Sequence, residues 1–154
     1  MITSFIVAAI IVGLDQLTKF LIYGTPARSI LGNLLWFEST LNTGVAFSMF
    51  EGMQILFVIV AAIASVLFVY LIISKKWLTS KLEKISVALV LAGTIGNLID
   101  RIVFNGVRDF IYLKFINFAI FNVADMAITI GAILLCVAII FLRKPKEEEK
   151  KNND

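Results

Sequence analysis

The chain has 154 residues, of which 60% are hydrophobic and 16% are charged, with a net charge of +3 and a mean hydropathy of +0.95. Soluble domains average about 45–50% apolar and about 25% charged residues, so this composition predicts an integral membrane protein. The absence of histidine excludes Ser-His-Asp and Cys-His catalysis. A single cysteine, Cys136, cannot form an internal disulfide and makes a zinc site implausible. We expect it to be a packed thiol rather than a nucleophile.

Four apolar segments, about 4–23, 55–74, 85–102 and 120–142, approach the ~20 residues that a helix needs to cross a bilayer. The third is the shortest and the most polar. The first lacks a basic n-region and contains Asp15 and Lys19, so we interpret it as an uncleaved span rather than a signal peptide. The sequence therefore predicts a mainly α-helical membrane protein with one four-span domain, residues 1–142, and a charged tail, residues 143–154.

Basic residues predict the orientation of these spans. Nine of the fourteen lie in two short segments, 75–84 and the tail, on one side of a four-span arrangement. The opposite loops, about 24–54 and 103–119, contain only Arg28, Arg108 and Lys114. The positive-inside rule therefore places both termini in the cytoplasm and both sparse loops outside. The tail itself is typical of a solvated, disordered end.

The sparse outer loops have the composition of short strands. Segments such as ILGNLLWFEST and VRDFIYL combine aromatic and β-favouring residues with turn-forming glycine. We expect a small β platform on the outer membrane surface, with Trp36, Phe37 and Tyr112 at the interface.

The segment NTGVAFSMF (42–50) could form one wall of a site. Asn42 carries an amide donor and acceptor, while Gly44 and Ala46 allow backbones to approach closely. An ordinary turn leading into a strand is the alternative interpretation.

Polar residues within the predicted spans converge on one region. The charged residues of the predicted spans, together with Asn97, fall in the outer half of the membrane on three helices: Asp15, Lys19, Asn97, Asp100, Arg101 and Asp125. Intramembrane ionisable groups usually face a bundle interior and are candidates for function. However, the first two residues, and likewise Asn97 and Arg101, are spaced i,i+4 and could pair on one helix face in a structural role.

Asp109 and Asp125 have no basic residue at helical spacing, and both belong to the outer side. Two carboxylates brought together acquire separated pKa values, so that one holds a proton while the other acts as a base. Such a pair can activate water for attack on a peptide carbonyl. Two unrelated acids are the alternative. A Ser48–Lys19 hydrolase is a further possibility, although nothing in the spacing requires these residues to meet.

Two other functional classes fit the composition. Intramembrane charges also mark transporters and proton relays, but a relay needs polar residues through the full membrane thickness, and the predicted inner half is nearly bare. In a non-catalytic scaffold, polar residues would join helices together and Asp109 could be replaced freely.

Five motifs together resemble the lipoprotein signal peptidases (signal peptidase II), a family of bacterial membrane aspartyl endopeptidases. In chain order they are DQLTK (15–19), NTGVAFS (42–48), GTIGNLIDR (93–101), VRDF (107–110) and FNVAD (121–125). The resemblance implies cleavage of prolipoproteins before a diacylglyceryl-modified cysteine, without a cofactor, in the bacterial cytoplasmic membrane. A single site of this kind needs only a monomer. The resemblance also implies inhibition by globomycin-type antibiotics and a short helix beside the β platform.

The resemblance assigns roles residue by residue. It makes Asp109 and Asp125 the catalytic pair. Its supporting polar residues correspond to Asp15, Lys19, Asn42, Asn97 and Arg101, its close-packing glycines to Gly44, Gly93 and Gly96, and the residues lining the second aspartate to Asn122 and Ala124.

Two positions depart from the family pattern. Arg108 replaces the usual aliphatic residue before the first aspartate, and Met126 replaces the common serine after the second. A cation beside Asp109 could lower its pKa, but alternation along a strand predicts that Arg108 points away from the site. Met126 cannot supply a hydroxyl to Asp125.

Overall fold

A computed structural model describes residues 1–44, 53–74 and 76–142; the predicted tail and the predicted roles of Ala46 and Ser48 lie outside these ranges. Its four helices are α1 (Ile2–Ile22), α2 (Gln54–Ser74), α3 (Lys81–Phe104) and α4 (Val123–Val137), the last continued by a π-helical turn, Ala138–Leu142. Each helix is long and apolar enough to cross a membrane, counting α4 together with its π turn. The four-span prediction is confirmed.

Three strands form an antiparallel sheet in the order β1 (Arg28–Leu31), β2 (Leu35–Asn42) and β3 (Val107–Leu113). The first two strands lie between α1 and α2, whereas β3 lies between α3 and α4. The two sparse loops therefore meet in one sheet at the same end of the helix bundle, as predicted. A short 3-10 helix, Lys114–Ile116, follows β3.

The third helix differs from its predicted length. The prediction made it the shortest span, at 85–102, but α3 has 24 residues and is the longest helix described. Its start is polar because Ser80 and Glu83 form a capping box, with Ser80 Oγ accepting from the Glu83 N–H at 3.1 Å and Glu83 Oε2 accepting from the Ser80 N–H at 3.0 Å. These reciprocal bonds satisfy the first turn without apolar residues, which a hydropathy pattern does not detect.

Helix α3 lies at the centre of the bundle and packs against the other three helices. Its approach to α4 is unusually close, because a Cβ on Gly93 would collide with the Ala124 carbonyl and one on Gly131 would lie 2.7 Å from the Ser86 carbonyl oxygen. The close packing predicted at Gly93 is therefore observed. Small residues at a helix interface allow backbones to approach in this way.

Cys136 contradicts the prediction of a packed thiol, because its side chain is exposed. Helix α4 buries Ala124, Ala127 and Gly131. At 100° per residue, Cys136 lies on the opposite side of the helix from this packed stripe.

Candidate active site

Asp109 is positioned by strand pairing. It lies opposite Thr40 in β2, and Asn42 ends that strand two residues later. The Asn42 amide donates from Nδ2 to Asp109 Oδ2 at 3.0 Å, while its own Oδ1 accepts from the Gly44 N–H at 3.0 Å. The Asp109 side chain is buried. The segment 42–44 thus forms a turn that holds one oxygen of this carboxylate.

Asp125 is positioned by a helix cap. Asn122 precedes the first residue of α4, and its Oδ1 accepts from the Asp125 N–H at 2.9 Å. In return, Asp125 Oδ2 accepts from the Asn122 N–H at 3.1 Å. This capping box explains why α4 begins at Val123 rather than at residue 120, and it places the carboxylate at the helix end nearest the sheet.

Asn122 also brings the two carboxylates together. Its Nδ2 donates to Asp109 Oδ1 at 2.6 Å, while Asn97 of α3 donates from Nδ2 to the remaining oxygen of Asp125 at 2.7 Å. Both oxygens of each carboxylate therefore accept a hydrogen bond from an amide N–H. Within the described residues, neither carboxylate forms a salt bridge. We call Asp109 and Asp125 the dyad.

A second polar group lies next to the dyad and is fully paired. We call it the ion cluster, and it consists of Asp15, Lys19, Asp100 and Arg108. Lys19 Nζ lies 2.8 Å from Asp15 and 3.4 Å from Asp100, and Arg108 Nη2 lies 2.8 Å from Asp100. The first three side chains have no solvent exposure, and Arg108 is 6% exposed. Two carboxylates therefore meet two cations in the bundle interior.

The ion cluster contacts the residues that hold the dyad. Lys19 Nζ donates to Asn97 Oδ1 at 3.0 Å, and this is the same amide that binds Asp125. Asp15 Oδ1 accepts from the Ala124 N–H at 2.9 Å, in the first turn of α4. Gly96 permits this approach, because a Cβ there would lie 2.6 Å from Asp15 Oδ2. The cluster thus anchors both α3 and α4 behind the dyad.

Burial changes the proton affinity of the dyad. Desolvation, reinforced by the nearby charge of Asp125, raises the pKa of Asp109 to about 7, against the opposing hydrogen bonds from Asn42 and Asn122. Desolvation disfavours an ionised carboxylate, and a second carboxylate does so further. Asp109 therefore holds a proton near neutral pH, which an isolated aspartate does not.

A cleft of about 370 Å³ opens beside Asp125. Its other lining residues are Leu113, Phe118, Phe121, Met126, Thr129 and Ile130. Met126 is 42% exposed and Ile130 is 47% exposed, so the cleft lies on the outer flank of α4 rather than inside the bundle. One partly exposed carboxylate thus faces an apolar cleft, while its partner, Asp109, is enclosed.

The structure brings together most of the residues that the sequence singled out. Asp15, Lys19, Asn42, Asn97, Asn122 and Ala124 all belong to one hydrogen-bonded system with the dyad. Arg101 makes none of these hydrogen bonds, although its charge lies within electrostatic range of both Asp125 and Asp109. Its guanidinium lies over the Phe57 ring of α2 at 5.3 Å, and its buried Nε has no hydrogen-bond partner among the described residues.

Two glutamines were missed by the sequence analysis. Gln16 donates from Nε2 to Asp15, to Asp100 and to the Gly96 carbonyl, each at 3.1 Å. Gln54, at the start of α2, donates to the Thr43 carbonyl beside Asn42. Their partners lie up to 84 residues away in the chain, so no local pattern could have identified them.

Among residues 1–44, 53–74 and 76–142, no group of three or more Cys, Asp or Glu side chains could hold a metal ion.

Comparison with known proteins decides the family. A family model described as signal peptidase (SPase) II matches residues 7–141. The chain belongs to the signal peptidase II family. The lipoprotein signal peptidase of Enterococcus faecalis is 34% identical, over 100% of this chain and 98% of that protein. That of Shouchella clausii is 40% identical, over 89% and 92%.

Solved structures agree with this assignment. A bacterial membrane enzyme determined by the in meso method at 2.3 Å resolution has a TM-score of 0.83 and 30% identity, covering 95% of this chain and 94% of the other. A second, at 1.9 Å, has a TM-score of 0.81, 30% identity and coverage of 92% and 94%. The predicted fold and the prediction of a signal peptidase II, a peptide-bond hydrolase, are confirmed.

The structure shows where the two departures from the family pattern, Arg108 and Met126, are located. Arg108 does point away from the dyad, as predicted, but it reaches the buried ion cluster. Met126 lines the cleft, and both oxygens of the neighbouring Asp125 already accept hydrogen bonds from Asn97 and Asn122.

Proposed function

We propose that Asp109 and Asp125 are the catalytic pair of an aspartyl endopeptidase that removes signal peptides from prolipoproteins. Cleavage would occur just before a cysteine that already carries diacylglycerol. The observation that carries this proposal is the contact of both carboxylates with Asn122, at 2.6 and 3.1 Å, without a cation on either. Two carboxylates near each other share a proton, which equips one as an acid and the other as a base.

The reaction follows from that shared proton. The ionised carboxylate removes a proton from a water molecule as the water oxygen attacks the scissile carbonyl carbon. The protonated carboxyl donates its proton to the carbonyl oxygen, which gives a tetrahedral intermediate. Collapse of this intermediate re-forms the carbonyl, breaks the C–N bond and transfers a proton to the leaving amine. The raised pKa of Asp109, about 7, supports a dyad that keeps one proton near neutral pH.

The neighbouring residues would divide into two roles. Asn42, Asn97 and Asn122 orient the carboxylates through their amide groups. Asp15 and Lys19 are fully buried, so they would support Ala124 and Asn97 rather than touch substrate.

Arg101 and Gly44 are the proposed substrate contacts. Within the described part of the chain, Arg101 Nε has no hydrogen-bond partner, and a buried guanidinium N–H without an acceptor is costly. A carbonyl of the substrate backbone would satisfy it. Gly44 lies at the end of the turn that holds Asp109 through Asn42.

The cleft on α4 suits a substrate that stays partly in the bilayer. Its apolar lining adjoins Asp125 directly, so acyl chains could remain in lipid while the scissile bond reaches the dyad. Globomycin-type inhibitors would occupy the same place. A single chain contains both carboxylates and the cleft, which supports a monomer.

For localisation, we propose the bacterial cytoplasmic membrane, with both termini inside and the dyad at the outer face. The distribution of basic residues supports this orientation. In a Cys136→Ala background, Arg28→Cys in β1 should react with a membrane-impermeant maleimide in intact cells, whereas Lys76→Cys should not. The reverse labelling pattern would contradict the orientation.

Cleavage of a purified, diacylated prolipoprotein tests the dyad. We expect Asp109→Asn and Asp125→Asn each to reduce kcat/KM by at least about 10³-fold, because a positioned acid or base contributes about 10²–10⁴-fold. Glu38→Gln in β2 is the matched isosteric control and should cleave normally. Substantial processing by either dyad variant would refute the proposal, and free replacement of Asp109 would favour a scaffold.

A further inference from the structure

Arg108 of β3 is anchored to Asp100 of α3 by three hydrogen bonds. The Arg108 N–H and Nε donate to Asp100 Oδ2 at 2.9 and 3.2 Å, and Nη2 donates to Oδ1 at 2.8 Å. Backbone and guanidinium thus bind the same carboxylate of α3. A planar guanidinium that binds a carboxylate through two nitrogens is both strong and directional.

Helix α1 and an aromatic ring hold the same guanidinium. Nη2 also donates to Gln16 Oε1 at 2.9 Å, and Gln16 Nε2 donates back to Asp100 Oδ1 at 3.1 Å. The Phe104 ring lies 4.1 Å from Arg108 Cζ, a favourable cation–π distance. Arg108 therefore joins β3 to both α1 and α3 at one buried point.

The contact between Arg108 and Asp100 is connected to both residues of the dyad. Asp109 is the next residue in β3, so the position of its backbone follows that of Arg108. Asp125 is reached through a chain of contacts: Asp100 lies 3.4 Å from Lys19 Nζ, which donates to Asn97, which donates to Asp125.

Removal of Arg108 would change the charge balance of the ion cluster. With Arg108 present, Asp15 and Asp100 are balanced by two cations. Without it, Lys19 alone would face two buried carboxylates and would be drawn toward Asp100, away from Asn97. A buried charge that loses its partner reorganises its surroundings at considerable cost. The Asn97 amide that binds Asp125 would then lose its support.

We propose that Arg108 is a positioning residue for the dyad, which sets the place of Asp109 through β3 and that of Asp125 through Asp100, Lys19 and Asn97. It does not touch the reacting atoms. Loss of Arg108 should therefore reduce turnover by the folded enzyme rather than substrate binding.

The test uses full-length enzyme, purified in detergent, with a diacylated prolipoprotein, and so rests on the proposed function. We expect Arg108→Leu to lower kcat about tenfold, since displacements of about 1 Å at a dyad are costly in rate, with KM changed less than twofold. Arg108→Lys, which keeps the charge but loses the two-pronged contact, should recover part of kcat. Arg28→Leu, an exposed arginine of the same sheet, is the matched control and should match the wild type.

Coupling with Asp100 distinguishes positioning from simple stabilisation. Arg108→Leu combined with Asp100→Asn should have a kcat no lower than that of the worse single variant, because the two residues act as one unit. All rates are measured on the monodisperse gel-filtration peak, so that unfolded enzyme is not counted. If Arg108→Leu does not yield folded protein, Arg108→Lys decides, with an expected fall in kcat of about threefold.

Wild-type kcat in Arg108→Leu, or in Arg108→Lys where only that variant folds, would overturn the inference. Strictly additive losses in the double variant would overturn it as well. Failure of the wild type itself to cleave would instead refute the proposed function.

Discussion

The dyad and the ion cluster each contain two aspartates, yet the two pairs have opposite surroundings. Asp15 and Asp100 are paired with Lys19 and Arg108 at 2.8–3.4 Å. Asp109 and Asp125 accept hydrogen bonds only from amides within the described residues. A cation in contact with a buried carboxylate favours its ionised form, whereas burial beside a second carboxylate favours the protonated form. The contrast separates carboxylates that hold helices together from carboxylates equipped to move protons.

The largest loss of stability should come from removing a carboxylate of the ion cluster. Asp100→Asn leaves Arg108 and Lys19 with one carboxylate between them, so the free energy of unfolding should fall by about 3–5 kcal/mol. Asp109→Asn is the same isosteric change on the unpaired side, where no cation loses its partner, so it should not lower thermal stability in detergent. Equal losses of stability in the two variants would show that the distinction between the pairs is false.

Two substitutions of Asn122 separate its role as the N-cap of α4 from its hydrogen bond to Asp109. Serine is as good an N-cap as asparagine, so Asn122→Ser should keep the stability of α4 but remove the Nδ2–H donor to Asp109. We expect kcat to fall about tenfold in this variant, the scale of one hydrogen bond to a charged group. Asn122→Ala should lose the same activity and about 1 kcal/mol of stability in addition. Full activity in Asn122→Ser would exclude the donor role.

The raised pKa of Asp109 predicts that the rate of cleavage depends on pH. Because this pKa is about 7, the dyad loses its shared proton as the pH rises through that value, and kcat/KM should decline above it. A rate that stays constant from about pH 6 to about pH 9 would contradict the proton-sharing dyad.

The same pKa has a consequence for stability. The folded state keeps the Asp109 proton to about pH 7, whereas the unfolded chain releases it near 3.8, so this group destabilises the fold as the pH rises between those values. Asp109→Asn cannot ionise. The melting temperature of this variant minus that of the wild type should therefore increase from acidic to neutral pH, and a constant difference would argue against the raised pKa.

The smallest effect is expected at Met126. Met126→Ser introduces a hydroxyl beside Asp125, but both oxygens of Asp125 already have donors, so activity should change by no more than about threefold, mainly in KM. Met126→Leu is the apolar control for the shape of the cleft. A tenfold gain in kcat with serine alone would show that the hydroxyl completes the dyad.

Sequence reasoning succeeded where the physical signal is local. Apolar runs predicted the spans, and the sparse basic residues in two loops predicted that those loops lie on one side, which the shared sheet confirms. It failed at Cys136, since an apolar neighbourhood in sequence does not reveal whether a helix face meets protein or lipid. It also mistook α3 for the shortest span, because the capping box of Ser80 and Glu83 carries the helix into polar sequence.

The proposal that Asp109 and Asp125 are the catalytic pair came from the sequence alone, because a chain without histidine has few hydrolytic groups and its motifs resemble one family. The division between dyad and ion cluster was decided only by tertiary structure. Asp15 and Asp100 are 85 residues apart in numbering and share Lys19, while Asp109 and Asp125 share Asn122. Whether a buried carboxylate meets a cation or an amide depends on which helix faces pack together, and that arrangement exists only in the folded bundle.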